Sequence, residues 1–428
     1  MLDIHFIRNH PDKVQKAAED KGIDISIEEL LDLDRKRRQY IVEIEELRAE
    51  RNKKSKLTPT LQGEEREANI QSVKQLNERL KSLESELERV KQQFDEMMLV
   101  VPAVPFDDVP VGKDDSENVE LYTWGTLPVF DFTPRDHVTL GEMHDMFDIP
   151  RGVKIAGSRM FFLKNDAVLL QRAIQQMALD FIMDKGYEVF SVPVLVREDA
   201  MRGTGYLPLG REQAYVLERD ELFLVGTSEV ALVSYHADEI LDGSELPKRM
   251  AGISDCFRRE VGAAGKDTRG LYRVHQFQKI EQVALVKNDI EESNRFHKEL
   301  LENAETILRM LELPYRVVEV CTGDMGQGQV KKHDIETWMP SRESYSETHS
   351  CSSFLDFQAR RSNIRYRDEN GNIQYVYTLN NTLVATPRLL IPLLEVHQQE
   401  DGSIRIPEAL RKYMGGREKL IPKYPEQK

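Results

Sequence analysis

The chain has 428 residues, with 74 Asp and Glu against 59 Lys and Arg, for a formal net charge of −15 at pH 7. That length exceeds one ordinary core and implies roughly two or three domains. The negative balance opposes indiscriminate binding to a polyanion, so a general DNA-binding role is excluded and any RNA contact has to be local.

The opening MLDIHFIRNHPDKV carries charges early and no long apolar run, so neither a secretory signal nor a membrane span is expected, and a cytoplasmic location is. From Leu30 onward, Leu33, Arg37, Tyr40, Ile44 and Leu47 follow a 3-4-3-4 spacing broken only by Arg37, the seam of a coiled-coil helix. A second and unbroken seam runs through Val73, Leu76, Leu80, Leu83, Leu87, Val90, Phe94 and Met97. Between them LTPTLQG offers Pro59 and Gly63, which end one helix and permit reversal. An antiparallel two-helix hairpin over about 27–98 is therefore predicted, each helix of roughly 30 residues and about 45 Å. Residues 34–56 hold nine Lys and Arg and five Asp and Glu, a local net charge of +4. On charge alone this is either a salt-bridged solvated face or a phosphate-binding patch.

The Pro- and Asp-rich stretch 101–119 is expected to link an N-terminal domain, 1–100, to a second domain, 120–428. There, β-rich runs such as YEVFSVPVL, AYVLE, LFLVGTS, FQKIEQVALV and YRVVEVC alternate irregularly with helical stretches near 166–185, 228–241, 290–312 and 386–397. The pattern predicts an α+β body with a mostly antiparallel sheet flanked by helices. Cys256, Cys321 and Cys351 are widely spaced without CxxC pairs, which points to packed thiols rather than disulfides or a zinc site.

Residues 257–281 form two β-like arms around a Gly-rich, charged loop. Period-2 alternation puts Arg258 and Glu260 on one face of the first arm, and Phe277, Lys279 and Glu281 on one face of the second. A guanidinium can fork onto phosphate, a carboxylate can accept from an adenine amino group, and a phenyl ring can cover a purine. An ordinary salt-bridged hairpin has the same spacing.

FRREVGAAGKDTRGLYRVHQFQKIE resembles motif 2 of class II aminoacyl-tRNA synthetases in its seryl form. In matching order, GTSE (226–229) resembles the family's TAE/TSE element, YSETHSCSSFLDFQARRSNIRYR its metal-binding stretch, and TLNNTLVATPRLLIPLLEVHQQEDGSIRIPEAL its motif 3. Residues 145–193 occupy the place of motif 1, the dimerisation element. The likeness covers almost the whole chain and implies a class II antiparallel sheet with a coiled-coil arm. It also implies ATP-dependent activation of L-serine and its transfer to tRNA(Ser), and to a selenocysteine tRNA where one is accepted, by a homodimer.

By position in the family pattern, Arg258 would hold the α-phosphate and the serine carboxylate, and Arg388 the γ-phosphate; these are the two catalytic candidates. Arg259, Glu260, Val274, Phe277, Glu347, Thr348, His349 and Ser350 complete the implied ATP site, with Glu347 and Ser350 holding Mg²⁺. Thr227, Ser228, Glu229, Arg258, Glu281, Asn380 and Thr382 would form the serine pocket, Glu281 and Thr382 reading the hydroxyl. The arm would grip the long variable arm of tRNA(Ser) through Arg37, Arg38, Arg48, Arg51, Lys53 and Lys54.

Motif 3 departs from the Gly-Ser-Gly run of most bacterial members, with Asn381-Thr382-Leu383 there and Pro387 just before Arg388. Proline geometry puts Arg388 in the first helical turn, and Pro392 invites a kink. His349 replaces a small residue; it either brings an imidazole near the phosphates or, as a lone His more often does, serves a structural part. Two alternatives keep the same body: a non-charging paralogue, which the altered motif 3 favours, and an amino acid:carrier-protein ligase, which needs no arm.

Overall fold

A computed structural model describes residues 1–262 and 269–424. The chain forms two compact units that divide between Pro102 and Ala103.

The first unit contains the hairpin, with helices Ile27–Leu57 and Gly63–Val100. Ser26 caps the first through a 3.2 Å bond accepted from the Glu29 amide, with Glu28 and Glu29 in the opening turn favouring the positive end of the helix. A single 3₁₀ turn, Thr58–Thr60, and Gly63 at φ +58° reverse the chain, as the Pro and Gly predict. Ile44, Leu80 and Leu83 are buried in the seam against Tyr40, Leu47 and Leu87.

The polar break at Arg37 has a physical explanation that spacing did not reveal. Asp34, wholly buried, accepts bonds from Arg8 at 2.8 and 2.9 Å and from Arg37 and Arg38 at 3.1 Å. The Arg37 guanidinium also lies 4.4 Å from the Phe94 ring centroid. A knot of one carboxylate and three guanidinia thus replaces apolar packing at the foot of the hairpin. Burial works to raise the Asp34 carboxyl, but the bonds from Arg8 and Arg37 override it and hold the group below the ordinary carboxylate range. Its stabilising effect is therefore complete above the unfolded value near pH ~4 and is lost as pH falls through the lower folded value. Asp34→Ala strands three cations and is expected to destabilise the hairpin unit by about 3–5 kcal/mol, read by urea unfolding at pH 7. An unchanged midpoint would remove the knot's structural role.

The second unit is built on an eight-stranded sheet. Its strands in chain order are β1 (Val119–Trp124), β2 (Glu188–Ser191), β3 (Lys248–Phe257), β4 (Gln276–Val286), β5 (Tyr315–Glu319), β6 (Lys331–Met339), β7 (Ser344–Leu355) and β8 (Tyr377–Ala385). In space they run β1-β5-β6-β7-β8-β4-β3-β2, antiparallel except where β2 joins β3. One face packs Ile280, Ile335, Cys351 and Val384 into a core with Ile174, Leu300 and Leu390 from helices Asp166–Asp184, Ile290–Met310 and Thr386–Val396. The predicted α+β architecture is observed.

Residues 103–119 are more than a tether: Ala103 packs with Val330, Phe354 and Phe357, and Val109 with Val318, Val320 and Met325. All three cysteines are buried free thiols. The helix expected over 228–241 is shorter, Glu229–Ser234, because Asp238 takes a left-handed turn at φ +62° and Ile240–Asp242 is drawn into a small sheet beside Arg365–Arg367. The helix Thr386–Val396 starts with Pro387 in its first turn and continues past Pro392.

Candidate active site

Strand register decides which side chains share the open face of the sheet. Glu281 pairs with Thr382 and with Gly252, Asn380 with Ser352, and Lys279 with Ser254, which puts Lys279, Glu281, Thr382 and Asn380 on one side. Phe277 follows two residues before Lys279, and the Arg258 guanidinium stands 5.3 Å from its ring centroid.

The same face receives Glu347 and Ser350 through a β-bulge. In β7, Glu347 pairs with Glu336, His349 with Ile335 and Ser350 with Asp334, so Thr348 is the extra residue. Two residues three apart thereby come to one side of the sheet, and His349 is turned to the other. This corrects the expectation of an imidazole among the phosphates: the His349 ring is buried in the core, its Nδ1 lies 2.9 Å from the Thr348 hydroxyl, and burial pushes its pKa down to about 4. Thr348 likewise points inward, 2.7 Å from the Thr337 hydroxyl.

Glu260 also departs from the alternation argument. β3 ends at Phe257, and Glu260 has φ +51°, so its direction is set by a turn and by Arg273, whose Nη1 lies 3.4 Å from its carboxylate. Arg259 turns outward, donating to the Glu212 carbonyl at 3.3 Å. Residues 263–268 lie outside the described residues, and with them Lys266, Asp267 and Thr268 of the GKDTRG run. Arg258, Glu260 and Arg273 border an open cavity of about 580 Å³, lined elsewhere by Tyr206, Gln213 and Phe257.

Arg388 sits in the first turn of its helix, as proline geometry predicts. Its Nη1 approaches both the carboxylate and the carbonyl of Glu347 at 3.3 Å, and its Nε donates to the Tyr272 carbonyl at 3.4 Å. Tyr272 lies under it, 4.7 Å from guanidinium to ring centroid, and donates its own hydroxyl to the Glu347 carbonyl at 3.1 Å. Burial works against the Glu347 carboxylate, but Arg388, Lys332 and Arg258 hold its pKa down to about 2. The carboxylate is 41% exposed and ionised, and Ser350 adds a hydroxyl on the same face. Hard oxygen donors of this kind are the type that would suit Mg²⁺.

The deeper end of the face is carboxylate-rich. Glu281 forms an ion pair with buried Lys279 and accepts from the Thr382 hydroxyl at 3.2 Å. Glu229, 5% exposed, accepts from the Tyr206 hydroxyl at 3.1 Å and the Gln358 amide at 2.7 Å. Burial, reinforced by Glu281, pushes its pKa up to about 7. Thr227 is buried beside it, its hydroxyl accepting from the Glu229 amide at 3.2 Å. Ser228 is committed elsewhere, donating at 2.9 Å to the carbonyl of Gly252, where any Cβ would collide with it. Tyr206, Tyr272 and Gln358 were not singled out from sequence, and Lys279 was placed on a strand face without a role. Only Gln358, inside the FQARR run, and Lys279, sharing a strand face with Glu281, carried a local signal.

On the hairpin, Arg37 and Arg38 are engaged by Asp34, Arg48 pairs with Glu84 at 2.6 Å, Arg51 donates to Asn52 at 2.8 Å, and Lys54 meets Ser72 at 2.7 Å and Glu50 at 2.8 Å. Lys53 is exposed.

Residues 1–105 match the family described as seryl-tRNA synthetase N-terminal domain, and residues 215–397 match the class II tRNA synthetase core domain shared by the G, H, P, S and T enzymes. A serine–tRNA ligase of Deinococcus radiodurans is 48% identical over 98% of this chain and 99% of its own, and one of Rubrobacter xylanophilus is 42% identical over 97% and 98%. Among solved structures, a Pyrococcus horikoshii seryl-tRNA synthetase complexed with ATP superposes with a TM-score of 0.92 at 37% identity, covering 99% of this chain and 100% of its own. A cytoplasmic serine–tRNA ligase of Naegleria fowleri in complex with AMP gives 0.87 at 29% identity, covering 99% of both chains. No helix among the described residues is long and apolar enough to cross a membrane.

Proposed function

The chain belongs to the seryl-tRNA synthetase family, and on that premise we propose that it activates L-serine with ATP and transfers the seryl group to tRNA(Ser) in the cytoplasm. The observation that carries this is the single sheet face on which Arg258, Phe277, Glu281, Thr382, Glu347 and Ser350 stand together, with Arg388 at one end and Glu229 at the other.

A serine carboxylate oxygen attacks the α-phosphorus of ATP, the bond to the bridging oxygen of the β-phosphate breaks, and pyrophosphate leaves. A tRNA 3′-terminal hydroxyl then attacks the seryl carbonyl and releases AMP. Arg258 holds the carboxylate and α-phosphate, where negative charge concentrates during displacement, and Arg388 takes the γ-phosphate. Phe277 covers the adenine, which Glu260 and the Val274 backbone contact at its edge. Glu347 and Ser350 would hold Mg²⁺, which when bound would offset the negative charge of the phosphates. Glu229 and Thr227 receive the serine ammonium, while Glu281 and Thr382 bond its hydroxyl. Alanine offers those groups no hydroxyl to bond, a discrimination of roughly 10⁴ or more.

Exposed Val153, Ile155, Phe162, Leu169 and Met183 in the motif 1 region support assembly as a homodimer. The hairpin's cations beyond the Asp34 knot support contact with the phosphates of the tRNA's variable arm.

The test is serine-dependent exchange of pyrophosphate into ATP, followed by tRNA charging. Because the serine ammonium requires an ionised partner, and the fold favours protonated Glu229 below pH 7, binding serine expels a proton there. KM for serine is expected to rise as pH falls from 7 to 6, by about fivefold for one proton, and to level off above pH ~8. Glu229→Gln should flatten that profile. Exchange with no amino acid would sink the function, and exchange with serine but no charging would favour a carrier-protein ligase.

A further inference from the structure

The return of the 257–281 loop onto the site begins at Leu271 and Tyr272, and Tyr272 meets both principal groups of the phosphate end. Its carbonyl accepts from Arg388, its ring lies beneath the Arg388 guanidinium, and its hydroxyl reaches the Glu347 carbonyl. What holds this segment in place comes from elsewhere in the chain.

The Leu271 amide donates to His137 Nε2 at 3.2 Å. His137 is the first residue of the helix His137–Met143 and is buried. Its Nδ1 lies 3.0 Å from the carboxylate of Glu395, which is fully buried near the end of the helix that carries Arg388. Glu395 also accepts from the His137 amide at 2.9 Å, the Ser341 amide at 3.0 Å and the Ser341 hydroxyl at 2.9 Å. With the Nδ1 proton given to Glu395, the tautomer is fixed: Nε2 keeps its lone pair and can only accept. Gly270 closes against the ring at φ +88°, where a Cβ would sit 2.2 Å from Nε2. Next to it, Asp136 caps the same helix through Thr139 at 2.7 Å and pairs with Arg269 at 3.5 Å.

We propose that His137, oriented by Glu395, is a positioning residue for ATP activation: it holds the Leu271 amide so that Tyr272 seats Arg388 and Glu347 against the triphosphate. Neither His137 nor Glu395 touches a reactant. The role rests on the proposed function, since it presupposes that Arg388 and Glu347 meet ATP. The relay joins the loop to the Arg388 helix through a third element, so the phosphate-binding groups move as one body.

The experiment compares His137→Phe, which keeps an aromatic ring without an acceptor, with His137→Gln, whose carbonyl oxygen can take the Leu271 proton. Pyrophosphate exchange is read as separate KM values for ATP and serine, alongside hydrogen exchange of the Leu271 amide. His137→Phe should raise KM for ATP about tenfold, as expected for one buried amide left unpaired, with KM for serine within about twofold and faster exchange at Leu271. His137→Gln should restore most of both. Gly270→Ala, which displaces the contact from the loop side, should reproduce the ATP effect if His137→Phe does not fold. Equal changes in both KM values, or a Gln variant no better than Phe, would overturn the proposal. If the parent shows no serine-dependent exchange the proposed function fails, while Leu271 amide exchange still decides whether His137 holds the segment.

Discussion

Arg388→Ala is expected to lower serine-dependent pyrophosphate exchange by about 10³-fold, in line with the loss of a preorganised charge from a site where negative charge develops. The guanidinium lies within 3.3 Å of Glu347 and stacks on Tyr272, so it is already held where a triphosphate would meet it and needs no reorganisation during reaction. Its removal also takes away the largest influence holding the Glu347 carboxylate at low pKa, while Lys332 and Arg258 continue to act on it. Arg388→Lys should recover only part of the loss, because an ammonium supplies charge without the planar fork. Retention of more than about a tenth of parental exchange in Arg388→Ala would rule out its phosphate role.

The second large effect separates the two units. Reversing Arg48, Arg51, Lys53 and Lys54 together to Glu should leave pyrophosphate exchange unchanged, because the sheet and its face belong wholly to the unit beginning at Ala103. Charging of tRNA at moderate salt should fall by about 10²-fold or more, and the slope of log affinity against log salt should shrink by roughly 0.9 for each phosphate that is no longer neutralised. An unchanged salt slope would mean that the hairpin does not neutralise RNA phosphates through these side chains. Arg37 and Arg38 are left out on purpose: both bind Asp34, so their replacement would mix stability with recognition.

Much of the architecture was legible from residue order, since the governing interactions are local or periodic. The 3-4 seam on both sides of Pro59 and Gly63 encodes the two-helix hairpin, because a helix presents that spacing as one stripe whatever it packs against. The alternation in FQKIEQVALV encodes the strand that carries Phe277, Lys279 and Glu281 on one side. Pro387 determined where the Arg388 helix begins, by a steric rule that needs no partner.

Tertiary structure decided the rest wherever a group's role depends on a distant neighbour or on a break in regularity. A bulge at Thr348 brings Glu347 and Ser350 to one face and sends His349 into the core; nothing local in SETHS announces the extra residue, since it arises from register against Lys331–Met339. Positive φ at Glu260 removes it from the alternation that spacing implied. Glu229 owes its raised pKa to burial and to Glu281, and its hydrogen bonds to Tyr206 and Gln358, partners 23 and 129 residues away. Arg37, in sequence a flaw in the seam, is paired through Nη2 with the buried Asp34 carboxylate, which Arg8 and Arg38 also reach. The residues themselves determined periodicity and chemical inventory. Electrostatic environment and facing belong to the folded chain, because desolvation and register are properties of what surrounds a side chain rather than of the side chain itself.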